Sequence, residues 1–205
     1  MITRTKFLLL AVLLSFGFVN LAHANTYTFA PNPVDLGDLD HGHYYTWGIN
    51  WNNIPAGQKI TGATLTFNNI WDWTNESGVN EDHLYVHLLD NPRTGVRSGS
   101  DGNGDYFNGQ GTLVGVWSDP AGGSATGFNL VYDFASLGLL DELTSYINSP
   151  HASNRANFGF GVDPDCHYYN TGVSFTITTA ATPEPASVSL LGLGLLGLFG
   201  LKRKK

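Results

Sequence analysis

Between residues 25 and 180, apolar and polar residues alternate in short segments, which is the pattern of strands that bury one face. In the clearest segment, Ala63, Leu65 and Phe67 alternate with polar neighbours. Residues suited to turns separate the segments. About eight segments carry this signal: residues 27–29, 43–49, 60–68, 83–89, 113–117, 128–134, 157–162 and 173–179. This spacing predicts an all-β fold, an antiparallel two-sheet sandwich that is jelly-roll-like.

Two features refine this prediction. Four apolar residues spaced three or four positions apart predict one short helix, which begins after Ser136 and ends before Pro150. In residues 83–89, the alternation predicts that His83, Tyr85 and His87 face outward, because successive side chains of a strand point to opposite faces.

Residues 1–24 carry a signal of their own. A basic start and an apolar run lead to Ala22-His23-Ala24, the small-x-small pattern of a signal-peptidase site. The pattern predicts a secretory signal peptide that is cleaved after Ala24, so that the mature chain begins at Asn25. A retained N-terminal anchor is the alternative.

The C-terminal residues 181–205 form a second end segment. Pro183-Glu184-Pro185 keeps the backbone extended, because proline disfavours helix at and before its own position. A charge-free apolar run over residues 188–201 then predicts a short membrane helix, and the four cations at 202–205 favour the cytoplasmic side. Residues 25–180 are left as one domain between the two end segments.

This order of parts resembles the PEP-CTERM sorting signal of Gram-negative bacteria. The resemblance implies an exosortase-type membrane transpeptidase as partner, with cleavage near Pro183, Glu184 and Pro185. It also implies an inner-membrane intermediate and a final location at the cell surface or outside the cell. An ordinary C-terminal anchor is the alternative. The central domain is similar to the β-sandwich ectodomains that often precede this signal, a similarity that carries no assigned activity.

The charge of residues 25–180 narrows the class of partner. This stretch holds four cations against sixteen acids, a net charge of −12. Such a surface argues against nucleic acid and anionic lipid as partners, and it is compatible with divalent cations or neutral sugars.

The chain has one cysteine, Cys166, so no internal disulfide forms. Three states are open to such a thiol in an exported protein: burial, ligation of a metal, or a disulfide with another chain. We expect burial.

Several acidic pairs are candidate oxygen ligands for Ca²⁺. The segment from Asp101 to Asp105 begins like a calcium loop, but Tyr106 stands where an EF-hand requires Gly. His41 and His43 offer a weak zinc pair. In each case the alternative is a solvated loop whose acids cap backbone amides. The candidate metal ligands are Asp38, Asp40, Asp101, Asp105, Asp163 and Asp165.

Trp71, Asp72 and Trp73 are the candidate glycan-binding residues. In an extended segment the two indoles project to one side, and exposed aromatic rings beside polar groups bind sugars by stacking. Packing in the core of the sandwich is the alternative for both tryptophans.

The sequence contains no nucleophile motif such as Gly-x-Ser-x-Gly. The leading interpretation is therefore a non-enzymatic, exported surface or matrix protein that binds extracellular polysaccharide, assisted by Ca²⁺. One alternative is an extracellular polysaccharide hydrolase that uses acids from the loops. A purely structural or adhesive subunit is the other.

Overall fold

Ten strands, one short α-helix and one 3₁₀ turn at Ser124–Thr126 make up the regular structure of the residues that the computed structural model describes, namely 24–51, 54–73, 82–102, 104–118 and 122–182. The strands are β1 Asn25–Phe29, β2 His43–Ile49, β3 Gln58–Asp72, β4 Leu84–Asp90, β5 Gly95–Ser100, β6 Thr112–Trp117, β7 Phe128–Asp133, β8 Phe158–Pro164, β9 Tyr168–Tyr169 and β10 Gly172–Ala181. The helix, α1, spans Leu140–Asn148 between β7 and β8. All of the predicted signal peptide except Ala24, and all of the predicted sorting tail except residues 181 and 182, lie outside the described residues.

The strands form two antiparallel sheets, which confirms the predicted sandwich. The first sheet has the order β1-β10-β3-β7, and β9 pairs with the far end of β3. The second sheet has the order β5-β2-β8-β4-β6. All the strand pairs are antiparallel.

Apolar side chains from the inner faces of both sheets fill the space between them. Leu65 and Phe67 of β3 are fully buried, as the alternation predicts. Phe175 of β10 contacts Phe160 of β8 across the sandwich, with ring centroids 4.8 Å apart. Burial of large aromatic and aliphatic side chains is the main stabilising contribution of such a core.

The helix begins later than its sequence pattern predicts. The backbone N–H of Ser136 donates to Asp133 Oδ1, so this segment forms a turn, and α1 begins only at Leu140. The helix buries Leu143 and Ile147, two of the four apolar residues on which the prediction rests.

His87 lies on the outer side of β4, as the alternation predicts, but it is not exposed to solvent. Its inward neighbours on β4 are fully buried as expected, but His87 itself is only 4% exposed. The loop of residues 101–111 covers it, because Phe107 packs against the imidazole and Asp105 Oδ2 lies 3.0 Å from Nε2. A loop can therefore bury the outer face of a strand that alternation assigns to solvent.

The sandwich has two distinct ends. At one end β3 and β8 finish and β4 begins, and the loops of residues 30–42, 101–111 and 165–171 meet there; we call it the loop end. The opposite end holds Asn25 and Thr182, since Asn25 pairs with Thr179 and the N–H of Thr182 donates to Gly57 O. The described residues contain no helix long and apolar enough to cross a membrane.

Candidate functional site

An aromatic row lies on the surface of the loop end. Trp71 of β3 pairs with Tyr169 of β9, and their rings stack with centroids 4.4 Å apart. Tyr169 also stacks on His167 at 4.5 Å, and the rings of His167 and Trp73 form a T-shaped contact with centroids 5.6 Å apart. The backbone N–H of Trp73 donates to His167 O, which extends the β3–β9 pairing and sets this register.

The two tryptophans have different environments. Trp73 is 59% exposed, and its ring lies at 83° to that of His167. Trp71 is half-buried and stacked on Tyr169. Asp72 between them is fully buried, so its carboxylate is not on the surface where a glycan would contact it. Alternation along the strand is the reason, since it turns residue 72 to the opposite side from residues 71 and 73.

Asp38 and Asp40 hold His167 in place. Asp38 Oδ1 lies 2.7 Å from His167 Nε2, and Asp40 Oδ1 lies 3.7 Å from Nδ1. Asp40 Oδ1 is also 2.9 Å from His41 Nδ1. These two carboxylates, predicted as metal ligands, thus lie beside imidazoles and support the aromatic row.

The other four predicted metal ligands come together in an acidic cluster. Asp163, on the outer side of β8, accepts the N–H of Tyr106 at 2.6 Å, and Asp165 accepts the N–H of Gly104 at 2.7 Å. Asp105 contacts His87, and Asp101 is fixed by its N–H donating to Gly42 O. Loop 101–111 therefore wraps over the end of β8. We call Asp101, Asp105, Asp163 and Asp165 the acidic cluster.

The acidic cluster contains carboxylate oxygens without donors. Asp163 is 1% exposed, and neither its Oδ1 nor either carboxylate oxygen of Asp101 has a hydrogen-bond partner within the described chain. Burial, together with the neighbouring charges of Asp101 and Asp165, raises the pKa of Asp163 from 3.8 to about 7. Burial also raises the pKa of Asp165. A buried carboxylate pair gains from either a shared proton or a cation.

Cys166 is buried, as predicted, and its thiol lies on the inner side of the aromatic row. Its Sγ donates to Asp72 Oδ1 at 2.9 Å, and Asp82 completes a group whose ligand atoms all lie within 4.8 Å of one another. Burial and the neighbouring Asp72 raise the pKa of the Cys166 thiol to about 12, so the group holds a protonated thiol at neutral pH.

Comparison with known proteins identifies the C-terminal segment. Residues 181–204 match the family model described as the PEP-CTERM protein-sorting motif. No curated protein and no solved structure matches the chain. The match covers the segment that contains Pro183, Glu184 and Pro185, and it ends one residue before the terminal Lys205.

Proposed function

We propose that this chain, whose residues 181–204 match the PEP-CTERM protein-sorting motif, is an exported exosortase substrate that is sorted to the cell surface, and that its sandwich is a non-enzymatic glycan-binding domain. The observation that carries the proposal is the exposed indole of Trp73 at the end of the aromatic row. An exposed indole that is held by contact with a neighbouring ring offers apolar area to the C–H face of a sugar at little entropic cost.

Polar groups beside Trp73 support this assignment. His167 and its partner Asp38 lie along the row, and Asp38 is exposed. His167 fixes the position of Asp38, whose exposed carboxylate can accept hydrogen bonds from sugar hydroxyls next to the stacking surface, and such polar groups orient a ligand within a site.

The path of the chain also supports binding at the loop end. Asn25 and Thr182 both lie at the opposite end of the sandwich, so the sorting tail is joined to the domain away from the aromatic row. The residue at which the tail joins the domain is thus not part of the proposed binding surface.

A binding role is favoured over hydrolysis by the environment of the acids. Asp163 has the pKa best suited to a general acid near neutral pH, but it is 1% exposed and faces other carboxylates of the acidic cluster. A catalytic acid must come within hydrogen-bonding reach of the glycosidic oxygen, which this burial opposes.

We also assign Ca²⁺ to the acidic cluster as a structural ion. The support is the set of buried carboxylate oxygens on Asp101 and Asp163 that lack donors among the described residues. A hard cation with oxygen ligands removes the mutual repulsion of these charges. The ion would fix loop 101–111 against β8 and stabilise the sandwich.

The glycan-binding test compares Trp73→Ala with Tyr27→Ala, an aromatic truncation on β1 whose ring packs on Trp51. Purified protein is mixed with insoluble cellulose, xylan and mannan, and the bound fraction is measured. Trp73→Ala should weaken binding by about 0.5–1.5 kcal/mol, the stacking contribution of one aromatic pair. Tyr27→Ala should leave binding unchanged. Equal binding by the wild type and Trp73→Ala would contradict the proposed glycan site at the aromatic row.

A further inference from the structure

Three of the four cations in residues 25–182 line one groove on the outer side of the second sheet. Arg97 lies on β5, Arg93 just before β5, and Arg155 just before β8. All three are exposed, and the fourth cation, Lys59, lies elsewhere, on β3. Their convergence stands out because the surrounding domain is strongly acidic.

The guanidinium groups in the groove retain most of their hydrogen-bonding capacity. Each arginine has five N–H donors. Arg97 donates to Val96 O at 3.1 Å and Arg155 donates to Asn91 O at 3.2 Å. Within the described chain, no carboxylate lies at ion-pair distance from any of the three arginines. Asp90 is the one acid among the lining residues, so the groove carries a net positive charge.

The backbone places two of these cations directly opposite each other. Arg93 and Arg155 form an isolated antiparallel bridge. Like charges in opposed positions destabilise a pair of extended segments. An anion bound between them removes this cost, and planar guanidinium groups bind planar carboxylates through two parallel hydrogen bonds.

Stacked aromatic rings form another wall of the groove. Tyr44 of β2 and Tyr106 of loop 101–111 stack with centroids 3.7 Å apart and planes 9° from parallel. A Cβ on Gly99 would lie 2.5 Å from the Tyr44 ring, so the glycine allows the tyrosine to lie close over β5. Gln110 and Ser98 add polar groups, and the groove encloses about 600 Å³, enough for a few sugar rings.

From this arrangement we infer that the groove binds the carboxylate-bearing sugars of an acidic polysaccharide. The arginines provide the charge and the fork-shaped donors for the carboxylates, and the tyrosine stack provides apolar contact for the sugar rings. The inference extends the proposed glycan-binding function to a second site, separate from the aromatic row, and specifies the chemical class of its ligand.

The test measures binding of polygalacturonate and of its fully methyl-esterified form to the purified full-length protein in chelator. Arg97→Gln and Arg155→Gln should each lower affinity for the acidic polymer at least about tenfold, the loss of one charge-assisted hydrogen bond. Lys59→Gln is the matched control, since it removes the one cation of residues 25–182 that lies outside the groove. Added salt should weaken binding by the wild type, and melting curves establish that each variant is folded.

Several results would overturn the inference: equal binding of the acidic and esterified polymers, equal effects of Arg97→Gln and Lys59→Gln, or preferential binding of dextran sulfate or DNA. The Trp73→Ala variant distinguishes the two sites. Loss of neutral-polymer binding in Trp73→Ala with intact polygalacturonate binding supports two separate sites. If the wild type binds polygalacturonate but no neutral polymer, the result supports the groove and contradicts the proposed glycan site at the aromatic row.

Discussion

Replacement of the buried Asp163 by Asn should change how the stability of the protein depends on pH. In the folded chain the pKa of Asp163 is raised to about 7, from an ordinary value of 3.8, mainly because burial disfavours its charged form. The folded state therefore keeps a proton that the unfolded state has already lost. The resulting stabilisation is complete below pH 3.8 and disappears as the pH rises through 7.

The magnitude follows from the gap between these two pKa values. About three pH units correspond to about 4 kcal/mol at most. The side-chain amide of the Asp163→Asn variant would stay neutral at every pH, and its oxygen can still accept the Tyr106 N–H while its NH₂ group faces Asp101. In chelator, the variant should match the wild type near pH 3 and exceed its melting temperature at pH 8.5 by up to about 8–16 °C.

Thermal melts in chelator at these two pH values measure the effect, and a repeat at pH 8.5 with millimolar Ca²⁺ tests the ion. If Ca²⁺ fills the acidic cluster, the wild type should gain about 2.7 kcal/mol at a hundred times its Kd, and Asp163→Asn should gain much less. The control is Asp141→Asn at the exposed start of α1, which should cost about 0.3–1 kcal/mol without changing the pH dependence. Parallel pH profiles for the wild type and Asp163→Asn would refute the reasoning.

Three further predictions follow from other parts of the molecule. Trp71→Ala should lower the melting temperature more than Trp73→Ala, because Trp71 is half-buried on Tyr169 and Trp73 is 59% exposed; calorimetry of both variants measures this, and the reverse order would contradict the assigned environments. The Cys166 thiol should react with a thiol reagent far more slowly in the native protein than in urea, because it is buried with a pKa of about 12; rapid native labelling would contradict this. A chain truncated before Pro183 should be exported without reaching the cell surface, as measured by fractionation, and unchanged surface display would count against the sorting role.

The alternation of apolar and polar residues predicted the strands that bury one face in the core. It did not predict the strands that form only through pairing with a neighbouring strand. β5 has the sequence Gly95-Val-Arg-Ser-Gly-Ser100, without apolar alternation, and it is an edge strand held by pairing with β2. β9 has only two residues and forms because it continues the pairing along β3. Neither strand has a periodic signal that a sequence could display.

For the candidate sites as well, the sequence indicated some residues, and only the fold shows which others lie beside them. The spacing of Trp71 and Trp73 identified the exposed surface, but Tyr169 and His167 join the row from about a hundred residues away. The same spacing, with its period of two, could have indicated that Asp72 faces inward. The sequence suggested Ca²⁺ loops around residues 101–105 and 163–165 separately, and only the fold of loop 101–111 over β8 unites them. The arginine groove was missed because its cations belong to separate segments that meet only in the folded chain.

Tyr106 connects the acidic cluster to the arginine groove. Its backbone N–H donates to Asp163, while its ring stacks on Tyr44 in the wall of the groove. A change in charge at Asp163, through proton loss or through Ca²⁺, therefore acts on the residue that shapes the groove. If the ion orders loop 101–111, a sugar bound in the groove meets a wall that is already fixed, and the two ligands stabilise each other by the same free energy. If Ca²⁺ fills the acidic cluster as proposed, the groove should therefore bind polyanions more tightly where calcium is plentiful.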